Sequence, residues 1–438
     1  MRLRTPSFAL AVLAAAAPIG AQQADPLPRD TLRLSQAQAQ AAATDPRRRQ
    51  LELQERATSL GLQSLSAERL PALSAGGQAQ YQSAVTRVSV ALPGVTIPSP
   101  SQDTYDARLN VQQSIFDPTY RPRAAVERAR LTESQAQVRT SLYGLRQDVN
   151  EAFFAALMAQ EKVAQVEATI AALGARLSET ETRRREGAAT PGDTAAIAAA
   201  LLQRRQDLAQ IQADRSAALA RLSDLIGKTV SHSTVLAAPV LDTAIARALP
   251  RTIDSVRARP EYAQFAAARE RLARQEAVEG AQDKPRVSVF GRAGYGRPGL
   301  NMLSTDFQSY WLAGVQLQWT PWTWGTTTRD REVIEVQREI VATNEAAFTA
   351  SLRRAVQQSL ASMSRLDTTL ALDERIIALR EQVERETSAR LRESVVTAAE
   401  YTDRATDLLT ARLAYAQHRV ELAQARATFL TIIGVDAP

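Results

Sequence analysis

Two periods organise the chain. Leu73, Ala75, Gly77, Ala79 and Tyr81 occupy one side of a two-residue alternation, and Ser74, Gly76, Gln78, Gln80 and Gln82 the other, the pattern of a strand with one apolar face. Ala107, Leu109, Val111 and Ile115 likewise oppose Arg108, Asn110, Gln112 and Ser114, with Gln113 interrupting the apolar set. Val287, Val289, Gly291, Ala293 and Tyr295 form a third such run, and Trp311, Ala313, Val315, Leu317 and Trp319 a fourth. Strands are therefore expected at about 72–82, 105–116, 286–295 and 310–320. Elsewhere the period lengthens. No proline occurs between Pro122 and Pro191, or between Pro321 and Pro438, which predicts helices over about 123–186 and 327–393, each about 100 Å long at about 1.5 Å per residue. Returning helices are expected at 190–227 and 397–434. The second carries Leu408, Tyr415, Leu422 and Phe429 at every seventh position, with Ala411, His418, Ala425 and Ile432 between them. Its counterpart carries Leu201, Leu208, Arg215 and Leu222, with Arg204, Ile211, Ala218 and Leu225. Both read as coiled-coil seams, with Arg215 a flaw or a polar contact and His418 a packed imidazole.

The two halves are copies of one unit. An offset of 207 pairs Glu186 with Glu393, Thr190 with Thr397, Leu201 with Leu408, Ile226 with Ile433 and Gly227 with Gly434, without a gap. Earlier in each half the offset is 214, pairing Pro71 with Pro285 and Tyr81 with Tyr295. It then falls to 206, pairing Leu109 with Val315 and Phe116 with Trp322, so the first half carries a longer loop near Pro93, Pro98 and Pro100. The expected organisation is a first repeat over 22–240 and a second over 241–438. Residues 1–21 carry Arg2 and Arg4, an apolar run from Phe8 to Ala17 and small residues before Gln22, the plan of a cleaved export signal. That run is too short for a membrane helix, which takes about 20 residues.

An exported chain with strands of about ten residues, apolar on one side and polar on the other, fits an outer-membrane barrel. The aromatics add to this. Tyr81, Tyr105, Tyr295, Tyr310 and Trp311 are assigned to an outer girdle, and Phe116, Trp319, Trp322 and Trp324 to an inner one. Trp311 and Trp319 lie about 26 Å apart along a strand, which after tilting suits an apolar band of about 25 Å. Four strands cannot close a barrel, since membrane barrels start at about eight, so several chains must share one.

Composition removes other classes. The 438 residues contain no Cys and two His, which excludes disulfides, thiolate chemistry, Cys-metal centres and a lipid-modified N-terminal cysteine. A net charge of +6 with acids and bases interleaved lacks the clustered footprint of a nucleic-acid binder. No nucleophile-base pair, metal cluster or phosphate loop is present, so neither an enzyme nor a cofactor is expected.

The tandem repeat, the passages Val111-Gln112-Gln113-Ser114-Ile115-Phe116-Asp117 and Leu317-Gln318-Trp319-Thr320-Pro321-Trp322, and the turns Arg185-Glu186-Gly187-Ala188-Ala189-Thr190 and Arg392-Glu393-Ser394-Val395-Val396-Thr397 together resemble the TolC family of outer-membrane efflux channels. The resemblance implies a mainly α fold with a membrane β-barrel: a homotrimer whose four strands per chain form a twelve-stranded barrel, continuous with a helical coiled-coil tunnel across the periplasm. It implies an exit duct that works passively with a periplasmic adaptor (membrane fusion protein) and an inner-membrane transporter, exporting small molecules. By the same resemblance, Gly187, Ala188, Ala189 and Thr190, with Ser394, Val395, Val396 and Thr397, are the adaptor-docking tips. Glu400 and Asp403, with Asp193 in the first repeat, line the periplasmic gate. Gly187 also reads as a helix C-cap, Thr190 and Thr397 as N-caps, and Glu400 as an acid favoured by the helix dipole. Val396, Leu391 and Ser394 depart from the family pattern, which removes the grounds for its ionic lock here. Two other readings stand beside this one: an exit duct for type I protein secretion, and a soluble periplasmic coiled-coil scaffold, which leaves the strands and clustered Trp unexplained.

Overall fold

The computed structural model describes residues 31–85, 99–249, 256–301 and 304–436. The export signal over 1–21 and the loop positions Pro93 and Pro98 lie outside the described residues. Strand β1 (Thr31–Leu32) leads into α1 (Leu34–Thr44) and α2 (Arg49–Ala67), then strands β2 (Ala72–Tyr81) and β3 (Asp103–Phe116). Helix α3 (Tyr120–Arg185) runs for 66 residues and α4 (Pro191–Ile226) returns for 36. After β4 (Val235–Leu236), α5 (Asp242–Ala248) and α6 (Pro260–Gln282), the order recurs: strands β5 (Arg286–Arg297) and β6 (Gln308–Gln318), a 67-residue helix α7 (Thr326–Arg392) and a 36-residue helix α8 (Ala398–Ile433).

Helix α3 begins at Tyr120 rather than at residue 123, because Pro122 sits in the first turn, where its missing N–H has no intrahelical acceptor to lose. Asp117 Oδ1 anchors this start, accepting from the Thr119 amide at 2.8 Å and its hydroxyl at 2.7 Å. The returning helices end alike: Gly227 and Gly434 both adopt left-handed backbone, at φ 65° and 81°. A Cβ on Gly227 would lie 3.0 Å from Thr44 Cβ. That close approach lets Thr44 Oγ1 donate to the Ile226 carbonyl at 3.0 Å and seats the end of α4 on the end of α1.

The two long hairpins, α3 with α4 and α7 with α8, lie against each other, while α1, α2 and α6 pack along α3. Midway along the rods a core gathers Leu34 and Ala37 of α1, Phe153, Phe154 and Leu157 of α3, Leu222 and Ile226 of α4, and Phe429, Leu430 and Ile433 of α8. Each such side chain fully removed from water contributes about 1.5–3 kcal/mol, so this belt is the main clamp between the repeats. A second, smaller cluster forms far along the hairpins: Leu173, Ile197, Leu201, Leu391, Ala398 and Tyr401.

The seam exceptions are polar contacts. Arg215 donates to the carbonyls of His232 and Thr234 at 2.9 and 3.1 Å, pinning the linker to α4. His418 is not a purely packed ring: its Nδ1 lies 2.6 Å from Asp373 Oδ2, and Asp373 is only 8% exposed. No described helix is long and apolar enough to cross a membrane.

The sheet has the antiparallel order β2-β3-β5-β6. Its register merges the four alternations into one surface, because directly paired residues share a face. Leu73 pairs with Val111, Ala75 with Leu109, Leu109 with Ala293, Ala293 with Trp311 and Val289 with Val315. On the reverse lie Ser74, Gln78, Asp106, Arg108, Asn110, Arg292 and Gln316. Gln113, which breaks the apolar set, sits near the strand base and donates to the Arg69 carbonyl at 3.2 Å.

Candidate functional site

The candidate site residues lie at the two ends of the rods. At the hairpin end, α3 closes with Ala188 N donating to Arg183 O at 2.7 Å and Gly187 at φ 74°, a glycine-capped Schellman-type turn. The copy repeats it with Val395 N donating to Arg390 O at 2.9 Å, but with Ser394 at φ 60° where glycine would be expected. Left-handed backbone costs a residue with a Cβ roughly 1–2 kcal/mol. Arg183 offsets this by donating from Nη2 to Ser394 Oγ at 2.8 Å and from Nη1 to the Leu391 carbonyl at 2.9 Å. One guanidinium of the first hairpin therefore holds the turn of the second.

The returning helices start on threonines. Thr190 Oγ1 accepts from Asp193 N and Thr397 Oγ1 from Glu400 N, both at 3.2 Å. Asp193 is fully occupied: Oδ2 accepts from Thr190 N at 3.0 Å and from its hydroxyl at 2.7 Å, and Oδ1 accepts from Ala398 N at 3.1 Å across the hairpins. The Thr190 hydroxyl foremost, then the amides of Ala398 and Thr190, hold its carboxyl below the usual aspartate range. The residue expected to line a gate thus serves as a cap and a cross-hairpin strut. Glu400 and Asp403 are exposed on the first turns of α8, and no described cation pairs with either. Gly187, Ala188, Ala189, Thr190, Val395, Val396 and Thr397 border, with Arg183 and Leu391, a groove of about 530 Å³ between the two turns.

Sequence reasoning missed Arg176, Arg183 and Tyr401. Arg176 donates to Ser388 Oγ, pairs with Glu179 at 2.6 Å and lies 5.0 Å from the centre of the Tyr401 ring. Tyr401 is 3% exposed, and burial, above all else, raises its phenol pKa. A tyrosine in the first turn of a helix beside an arginine-rich hairpin was the available signal.

At the sheet end, Tyr81, Tyr105, Tyr295 and Trp311 fall on the apolar face within a few registers of one another. Phe307, one alternation step outside β6, joins them: its ring stacks on Tyr295 at 5.6 Å and lies 6.1 Å from Tyr105. Its two-residue spacing from Ser309 and Trp311 could have revealed it. Tyr310 requires a correction. It pairs with Gly294 on the polar face and donates to Asp106 Oδ1, because strand alternation turns it away from its neighbour Trp311 and out of the girdle. Phe116 reaches the apolar face through a bulge after Ser114, which sets it opposite Val287. Trp319 donates from its indole to the Asp283 carbonyl at 3.0 Å, and Trp322 and Trp324 meet edge-on at 5.8 Å.

The architecture is a four-stranded sheet with one apolar, aromatic-edged face, carried on helices of about 100 Å. Residues 37–228 match the outer membrane efflux protein family. Over the whole architecture the chain is similar to CusC, whose structures concern folding and transmembrane channel formation, at 14% identity and a TM-score of 0.66, covering 92% of each chain. It is similar to the outer membrane protein VceC of Vibrio cholerae at 15% identity and 0.65, covering 92% of this chain and 97% of that one. The open-state MtrE outer membrane channel of Neisseria gonorrhoeae gives 17% and 0.63, with 92% and 89% covered. No curated protein sequence matches. The match to the outer membrane efflux protein family covers the first repeat, and the chain as a whole shares the fold of these outer-membrane channels.

Proposed function

We propose that three copies of this chain assemble into the exit duct of a tripartite pump, passively passing small molecules received from an inner-membrane transporter through a periplasmic adaptor. The observation that carries the reading is the sheet: β2 and β6 each have one neighbour within the chain, and such edges in a membrane must be paired by another copy. Three copies bring twelve strands. The helices supply a matching seam, since Leu372, Ile376, Leu379 and Val383 of α7 are all exposed at alternating spacings of four and three, the pattern of a helix packed against a partner.

In this reading the groove between Gly187–Thr190 and Ser394–Thr397 receives the adaptor, and Glu400 and Asp403 from three copies ring the closed aperture. Photo-crosslinkers at Ala189 and Val395 should capture one periplasmic adaptor, whereas one at Trp311 should not. Failure of both tip labels in cells whose efflux depends on this chain would remove docking from the tips. Replacing Glu400 and Asp403 by Ala should lower cation preference in reconstituted channels, and unchanged preference would remove them from the aperture.

A further inference from the structure

The polar face of the sheet carries four charged side chains in the described strands: Asp106, Arg108, Arg286 and Arg292. Their neutralisation is uneven. Asp106 is used twice, by Arg108 at 3.0 Å and by the Tyr310 hydroxyl. Arg286 stands at the strand base, 3.9 Å from Asp117. Arg292 is exposed, and its Nε donates to the neutral Asn110 Oδ1 at 2.8 Å. Among the described residues no carboxylate pairs with it.

We propose that Arg292 forms a cationic ring inside the barrel that concentrates anions and makes this end of the duct favour anionic solutes. The inference rests on the trimeric barrel proposed above. Twelve strands about 4.8 Å apart, tilted near 40°, enclose a backbone radius of about 12 Å. An inward guanidinium then lies within one Debye length of the axis, about 8 Å at physiological salt, so every permeating ion passes inside the ring's unscreened field. The low-dielectric wall focuses that field into the lumen. Asn110 orients the guanidinium without cancelling its charge. The glycines Gly294 and Gly314 keep the surrounding wall low, since a Cβ at either would lie 2.5 Å from the Tyr310 ring or 2.8 Å from that of Phe290. At the other end of the tunnel stand the acidic Glu400 and Asp403, so the two mouths present opposite signs.

The test is block of single channels in planar bilayers by inorganic tripolyphosphate added on the barrel side, where the probe reaches Arg292 without crossing the periplasmic aperture. The wild type should be blocked in a voltage-dependent way. Arg292→Gln should raise the half-blocking concentration at least about tenfold, Arg292→Glu should abolish block, and Arg292→Lys should preserve it. Arg292→Glu channels that conduct normally and are blocked like the wild type would overturn the ring alone. A wild-type chain that forms neither oligomers nor channels would overturn the barrel reading and the ring with it.

Discussion

Truncating Tyr401 to Ala separates the strength of the hairpin tips from that of the rest of the molecule. The ring is 3% exposed, packed in the tip cluster with Leu173, Ile197, Leu201 and Leu391, and covered by the Arg176 guanidinium. Removing a buried aromatic from a rigid core costs about 3–5 kcal/mol, and the cation-ring contact adds about 0.5–1 kcal/mol where solvent is near. The tip cluster is small and open on one side, so partial collapse reduces the expected loss to about 2–3 kcal/mol, or roughly 30- to 150-fold in local opening. The main core around Phe153 and Phe429 is a separate cluster, so the loss should stay local. Amide-exchange mass spectrometry should show faster exchange over residues 173–201 and 391–405, with 149–157 and 422–433 unchanged. Tyr401→Phe, which retains the ring, should stay within a few-fold of wild type. Equal loosening at both clusters, or none at the tips, would refute the claim that Tyr401 holds the two hairpins together there.

Other consequences are as direct. Gly314→Ala places a methyl 2.8 Å from the Phe290 ring and should swing that ring into the lumen, lowering unit conductance while leaving assembly intact; unchanged conductance would take Phe290 out of the conduction path. Asp193 has its folded pKa lowered below its unfolded value, so its contribution is complete above the ordinary carboxylate range and is lost as pH falls through the lowered value. Tip exchange should therefore rise on acidification below about pH 4, and Asp193→Asn should be loosened already at neutral pH with a flatter acid response. Glu at both Ile376 and Leu379 places charges on the exposed α7 seam and should yield monomers in size-exclusion light scattering; intact oligomers would show that this face lies outside the interface.

The long helices were legible because proline is absent for long stretches, and because Gly227 and Gly434 recur at the same offset and cap their helices in the same left-handed conformation. The apolar face of the sheet was legible from strict alternation. Tyr310 was misplaced because its sequence neighbour Trp311 outweighed that alternation, although one step along a strand reverses the face. Phe116 depended on a bulge, which no local pattern in its strand announces. The tip contacts were hidden for another reason. Arg176 meets Tyr401, Arg183 meets Ser394 and Asp193 meets Ala398 only once two hairpins some 200 residues apart are laid side by side. Asp193 shows the effect most clearly: the repeat offset aligns it with Glu400, and only the neighbouring helix start reveals that its carboxylate is already used.

The central claim is a duct closed by three copies of a chain that contributes four strands to the outer membrane. Its most direct test is the mass of the particle extracted from outer membranes in mild detergent, measured by native mass spectrometry. The account predicts three chains per particle. A stable particle of two or four chains, or a monomer recovered from the soluble periplasmic fraction, would contradict it.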